Sequence, residues 1–233
     1  MTELEELIKT ANILRSPGGC PWDAEQTHQS LIQYLLEETY ELIDAIESGD
    51  RAEILEELGD VLYQVVFHSD LASAGSLGEP FSIEDVAKFT KEKMMGRHPH
   101  VFGTPEELEK FKAKTGDDVM LNWDNHKQKE KPERVSVLDG IPKALPALAL
   151  ASKVIGKAQK IGILEEATQS PIQLENEEQL GSLLLAIVQA AKAQNLDAER
   201  ALRAAVRDLS DDIRKAEVLS ASDAGVIGLD TDL

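Results

Sequence analysis

The chain has 233 residues, with 24 Lys plus Arg against 43 Asp plus Glu and a formal net charge of −19. That charge repels both nucleic acid and anionic membrane, so neither is expected as a partner, and a phosphate-bearing ligand needs a bridging cation or a local basic patch. Apolar residues at 42% with aromatics at only 4% suit helices better than a β-sandwich, and the length allows one large or two modest domains. One cysteine, Cys20, excludes an internal disulfide and fits a reducing cytoplasm. The first ten residues carry Glu3, Glu5 and Glu6 without a basic leader pattern, so they do not read as a signal peptide. The longest uncharged apolar stretch, Gln179 to Ala191, falls short of the ~20 residues a membrane span needs.

In chain order, a short helix is predicted over Thr2–Leu14, stopped by Ser16-Pro17-Gly18-Gly19. After Cys20-Pro21-Trp22-Asp23 comes a long helix, Thr27–Ser48, with Leu31, Ile32, Leu35, Leu36, Leu42, Ile43 and Ile46 at three- and four-residue steps. Ser48-Gly49-Asp50 reads as a tight turn into a second strong helix, Arg51–Ala74, whose apolar face holds Ile54, Leu55, Leu58, Val61, Leu62, Val65 and Val66. Ser82 with Asp85 three residues on opens a helix to about Arg97, which ends at His98-Pro99-His100. Thr104-Pro105-Glu106-Glu107 starts another. The charged, proline-bearing stretch after Trp123 makes a linker. Helical spacing then resumes over Ile141–Lys160, from a start at Pro142, and continues over Glu175–Asn195 and Asp197–Val218. No segment alternates with period two, so the expected class is all-α. The expected domains are residues 1–124, a linker at 125–140, a second helical domain at 141–220 and a frayed acidic tail at 221–233.

Glu56-Glu57-Leu58-Gly59-Asp60-Val61-Leu62 resembles Glu178-Gln179-Leu180-Gly181-Ser182-Leu183-Leu184, and the second half reads as a worn copy of the first. The chemistry gathers in the first copy. At about 100° per residue, Glu37, Glu38 and Glu41 share one sector of their helix, and Glu57 and Asp60 stand about 60° apart on the next. The short turn makes the two helices antiparallel neighbours, so the acidic sectors can face each other. Five carboxylates meeting there repel unless protons or a divalent cation neutralise them, and oxygen ligands suit Mg²⁺ or Mn²⁺. Solvated glutamate faces on good helix formers are the plainer alternative. Gly59, costly inside a helix, suggests close approach by another backbone or a ligand.

The run Glu37-Glu38-x-x-Glu41, then Glu57-x-x-Asp60, resembles the signature of the MazG family of nucleoside triphosphate pyrophosphohydrolases. The segments Gly19–Thr27, Arg97–Phe102, Leu138–Pro142 and Leu145–Leu148 resemble MazG segments as well. The resemblance implies a four-helix-bundle module related to all-α dimeric dUTPases, usually a homodimer, followed here by the degenerate second copy. It implies hydrolysis of an NTP or dNTP between the α and β phosphates, giving NMP and pyrophosphate with Mg²⁺, by attack of a metal-activated water. By that analogy Glu38, Glu41, Glu57 and Asp60 ligate metal, and Glu37, with Glu38, supports or activates the attacking water. Lys93 and Arg97 match the family's basic positions and are the candidates for the leaving pyrophosphate, although basic residues near a helix C-terminus also favour the dipole. Trp22 either stacks on a base or anchors its loop. His98 and His100 are expected to shape a turn, Trp123 to pack, and Cys20 to be structural.

The second copy departs from this pattern. Gln179 and Ser182 replace Glu57 and Asp60, and Asp208 and Asp212 stand where Lys93 and Arg97 would be. Glu165-Glu166 lacks its third glutamate, and the span from Gly162 to Gln179 is too short for another loop and full helix. Residues 160–218 are therefore expected to bind no catalytic metal and to serve packing or dimerisation. A catalytically inactive nucleotide sensor or dimeric interaction protein of the same family is the alternative function. A phosphohydrolase acting on phosphoribosyl-ATP fits the Cys20–Asp23 and His98–His100 segments less well.

Overall fold

In a computed structural model of the chain, residues 1–113, 115, 116, 119, 130, 133–165 and 172–226 are described, with side chains to residue 220. The described residues are helical without strands, as expected. They form α1 (Glu3–Arg15), α2 (Pro21–Glu25), α3 (Ile32–Ser48), α4 (Arg51–Ser73), α5 (Ile83–Arg97), α6 (Pro99–Phe102), α7 (Pro105–Lys110), α8 (Ala147–Lys160), α9 (Glu177–Ala193) and α10 (Ala198–Val226). The chain divides into two compact units, Met1–His126 and Lys127–Leu233. Among the described residues no helix is long and apolar enough to cross a membrane.

Local signals set most of the boundaries. Thr2, Ser82 and Thr104 each form a capping box with an acid three residues on, which satisfies two backbone donors at the helix start. Asp50 caps α4 by accepting from the N–H groups of Ala52 and Glu53. Gly49 ends α3 in the left-handed region at φ +73°, where a side chain would be strained. Three boundaries differ from expectation. α3 begins at Ile32 rather than Thr27, because Thr27 and Ser30 exchange side-chain-to-backbone hydrogen bonds in a turn ahead of it. Pro142 opens no helix. The Leu145 N–H donates to the Pro142 carbonyl at 3.4 Å, closing a turn, and α8 begins only after Pro146, because a proline disfavours the helical region for the residue before it. α10 runs to Val226 rather than ending near Val218, so the tail's first residues are helical, and residues 227–233 lie outside the described ones.

In the first unit α3 and α4 pack along each other, α1 lies against α4, and α5 joins α4. Leu31, Tyr34, Glu38, Leu42 and Ala45 are the inner residues of α3, and Ile54, Glu57, Val61, Gln64 and His68 form the matching stripe of α4. The C-terminal half of α4 is covered on several sides, and Val66, Phe67, Ser69, Leu71 and Ala72 are all buried. Its N-terminal half is not. Ile32, Leu36, Ile43 and Ile46 of α3 are exposed, as are Leu55, Leu58, Leu62 and Val65 of α4. The apolar stripes read from sequence are thus only partly satisfied within one chain.

Arg15 of α1 pairs with Asp70 of α4, whose other oxygen accepts from Asn12 at 3.0 Å, and its guanidinium lies over the Phe67 ring. Both partners are largely buried, and Arg15 Nε has no acceptor. Arg15→Ala would strand the Asp70 charge in this low-dielectric site. It is expected to lower stability by about 3 kcal/mol or more, measurable as a fall in the denaturation midpoint.

The second unit is built on α8 and α10. Leu138, Leu150, Val154, Ala158, Val206 and Ile213 form its buried core. The loop ahead of α8 is held by α10. Glu217 accepts from the Val137 N–H at 2.9 Å, Glu199 accepts from the Ala147 N–H at 2.8 Å, and Arg214 reaches Asp139 at 3.3 Å. Asp139 also accepts the N–H groups of Ser136 and Val135, and these bonds hold its carboxyl below the usual range.

Candidate metal centre

The Ser48–Asp50 turn returns the chain so that α4 runs back along α3, and the helical period puts the acidic sectors on one flank of that hairpin. Carboxylate oxygens of Glu38, Glu41 and Glu57 all lie within 4.8 Å of one another. Glu38 and Glu57 are half-buried and Glu41 is exposed. Burial raises the Glu38 carboxyl above its ordinary value, followed by the charges of Asp60 and Glu41 and a hydrogen bond with Glu41. Burial, then the charges of Glu41 and Asp60, raise Glu57 in the same way. Glu57 Oε2 is shut off from solvent and has no hydrogen-bond partner among the described residues. An unpaired carboxylate oxygen facing other carboxylates is what a cation relieves, so this donor set fits a hard, oxygen-seeking dication.

Three of the four expected ligands therefore come together. Asp60, exposed on the surface of α4, stands outside that trio but is near enough for its charge to act on both Glu38 and Glu57. Glu37 is exposed and also outside it. Lys93 and Arg97 occupy the last two turns of α5, and Lys93 Nζ lies 5.5 Å from the centre of the Phe89 ring on its own helix. Gly59 does not have the neighbour its sequence position suggests. A Cβ there would meet nothing within 4 Å among the described residues, so no described segment approaches it.

Trp22 sits on the short helix α2 with nearly half its surface exposed, its ring edge-on to Tyr34 of α3 at 5.5 Å. The next residue, Asp23, is buried and hydrogen-bonded to the Tyr63 hydroxyl of α4, which burial and the Asp23 charge make harder to ionise. His98 ends α5 and opens α6, donating from Nδ1 to the Met94 carbonyl at 2.6 Å, while Pro99 is buried beneath the turn. Cys20 is half-buried at the start of α2 and its N–H donates to the Leu14 carbonyl. Trp123 and Glu166 lie outside the described residues.

Two features were missed in the sequence. His28 and His68 stack at 5.0 Å with their Nδ1 atoms 2.8 Å apart, and His28 Nε2 lies 3.0 Å from Ser76 Oγ. Ser76 spends its single hydroxyl proton on the Leu71 carbonyl, so His28 donates from Nε2 and accepts at Nδ1 from His68. The chain of bonds ties the approach to α3 to the end of α4. Burial and then His28 lower the pKa of His68. No spacing rule links these residues. The second is Gln64, buried in the α4 stripe with its Oε1 shut off from solvent and unpartnered. A polar residue at a seven-residue step from Glu57 on an otherwise apolar helix is the signal that could have found it.

In the second copy, the Gln179 side chain accepts from the Glu175 N–H at 3.0 Å, and Asn176 caps α9 by accepting from the Gln179 N–H. Asp212 pairs with Lys215 on the surface of α10 at 3.0 Å. These side chains serve helix ends and helix surfaces.

The fold and the site together define an all-helical protein with a carboxylate cluster fitted to a divalent cation. Residues 26–102 match the MazG nucleotide pyrophosphohydrolase domain. The chain is 37% identical, across 96% of its length and 89% of the relative's, to the nucleoside triphosphate pyrophosphohydrolase/pyrophosphatase MazG of Thermotoga maritima. It is 32% identical to the nucleoside triphosphate pyrophosphohydrolase of Escherichia coli, over 99% of this chain and 93% of that one. An uncharacterised 26.1 kDa protein of Streptomyces cacaoi is 46% identical over 85% of this chain and 77% of its own. The chain belongs to the MazG family.

Proposed function

We propose that this protein hydrolyses nucleoside triphosphates between the α and β phosphates, releasing the monophosphate and pyrophosphate. The convergence of Glu38, Glu41 and Glu57 from two antiparallel helices carries this reading, because such a cluster has a use only when positive charge enters it. Glu38, Glu41, Glu57 and Asp60 would hold Mg²⁺ or Mn²⁺. An ion held there would supply neutralising charge for the triphosphate and a polarised water for in-line attack. Glu37, exposed beside Glu38, orients the attacking water. Lys93 and Arg97 stabilise charge on the departing pyrophosphate, and Trp22 offers a face to the base.

We assign the exposed apolar flank to a homodimer in the cytoplasm. About the hairpin seam, the uncovered residues of α3 and α4 are each rotated by about 100° in the same sense. On antiparallel helices equal rotations point to the same side, so they form one continuous surface opposite the acidic flank. Gly59 lies on that side of α4, where a second copy can approach its backbone. Residues 160–218 serve packing and bind no catalytic metal.

The test is to incubate the purified chain with several NTPs and dNTPs plus Mg²⁺ and to separate NMP, NDP and pyrophosphate. Monophosphate with equimolar pyrophosphate is expected, and both vanish in Glu41→Gln. Release of NDP, or no turnover of any triphosphate by folded protein, would sink the assignment and favour the nucleotide sensor.

A further inference from the structure

We infer that Gln64 is a substrate-binding residue whose buried carboxamide oxygen accepts a hydrogen bond from the nucleoside, either from a sugar hydroxyl or from a base N–H. The inference rests on the triphosphate being held at the carboxylate cluster.

Gln64 is only 8% exposed, and its Oε1 has no hydrogen-bond partner among the described residues. Folding gains nothing from an unpaired amide oxygen in a helix seam, where a leucine would pack without the desolvation cost. Its position gives the oxygen a use. Gln64 follows Asp60 by one turn, about 6 Å along α4, and Glu57, Asp60 and Gln64 share a sector about 60° wide. On the same flank beyond it lie Phe67 and, from α3, Tyr34, which packs against the buried cluster of Leu31, Phe67 and Leu71 and meets the half-exposed Trp22. Gln64 thus stands between the carboxylates and the aromatic wall.

The missing partner must be a donor. A triphosphate at neutral pH carries only acceptor oxygens, so the phosphates gripped by the acidic cluster cannot satisfy Oε1. The rest of the substrate can, because sugar hydroxyls and base N–H groups donate. A site built around such a bond discriminates against molecules lacking the donor.

The experiment compares the full-length protein with Gln64→Leu and Gln64→Met by calorimetric titration in Mg²⁺, using α,β-methylene ATP, its 2′,3′-dideoxy form and inorganic tripolyphosphate. Melting temperatures are measured on the same samples. Both variants are expected to melt no lower than the wild type and to bind tripolyphosphate within about twofold of it, yet to bind α,β-methylene ATP about tenfold more weakly. If the donor is a sugar hydroxyl, the wild type loses the same factor toward the dideoxy analogue; if it is a base N–H, that affinity holds. Unchanged affinity for α,β-methylene ATP in both variants overturns the inference. So does an equal loss for tripolyphosphate, which would put Gln64 on water around the phosphates. If the wild-type protein fails to bind tripolyphosphate, the proposed function falls, and this assignment with it.

Discussion

Glu57→Gln is expected to make the metal-free protein melt at a higher temperature while cutting pyrophosphate release by at least about 100-fold. Both effects come from one geometry. Glu57 is half-buried beside Glu38 and Glu41, with one oxygen unpartnered and Asp60 near enough to act on it. A neutral carboxamide of the same shape removes that repulsion and brings N–H donors that the neighbouring carboxylates can accept. The same change removes a ligand from the proposed cation site, where loss of several kcal/mol of transition-state charge stabilisation corresponds to two or more orders of magnitude in rate. Scanning fluorimetry with and without Mg²⁺, beside a pyrophosphate assay, reads both. Saturating Mg²⁺ should raise the wild-type melting temperature by several degrees and leave Glu57→Gln nearly unmoved. A variant that melts lower without metal, or that keeps its rate, would contradict the arrangement.

The sign of the pH dependence follows from the same groups. Glu38 and Glu57 hold their protons more tightly in the folded chain than at the ordinary value of 4.5, so the folded state binds more protons than the unfolded one above that value. Without metal, stability therefore rises as pH falls from neutral through their raised folded values, and this gain is complete near 4.5. Asp85 and Asp139 act in the opposite sense. Their folded values lie below the ordinary 3.8, so their contribution is present above 3.8 and is lost as pH falls through those lower values. Protons compete with the cation, so in saturating Mg²⁺ the mild-acid gain should turn into a loss. Melting curves from pH 8 to 4 in each condition check the reversal.

The helices were legible because their starts are local chemistry: Thr2, Ser82 and Thr104 accept from backbone donors three residues on, whatever the rest of the chain does. The pairing of Glu38 and Glu41 with Glu57 was legible because a helical period and a short turn leave little choice about which faces meet. Partners distant in sequence were not. His28 and His68, or Arg15 and Asp70, are brought together by packing that no spacing records. Pro142 misled because proline marks a helix start only when the residues after it are free to turn, and Pro146 decides that here. Gly59 has no close neighbour among the described residues, so the reason its position suggested is not found there. The apolar stripes read from sequence are buried only in part, because periodicity cannot say whether a stripe is covered by its own chain. Leu58 and Leu31 sit in equally good patterns, and one is 52% exposed while the other is buried.

That uncovered stripe gives the second large expected effect. Leu58→Glu with Leu62→Glu should halve the mass in sedimentation equilibrium and abolish turnover at micromolar concentrations. Both leucines are exposed within one chain, so the charges cost the isolated fold little. In a dimer joined through this flank each charge would be buried without a partner, and two such penalties weaken association by about 1,000-fold or more. The acidic flank lies on the far side of the hairpin and keeps all its carboxylates. Lost activity would then report that the site needs the rigidity, or the residues, that a second copy supplies. Raising the protein concentration 1,000-fold distinguishes this from damage to the fold, since activity lost through dissociation returns with mass. A variant that stays dimeric would show the interface to lie elsewhere, and the exposure of eight large apolar side chains on one side of α3 and α4 would need a different partner.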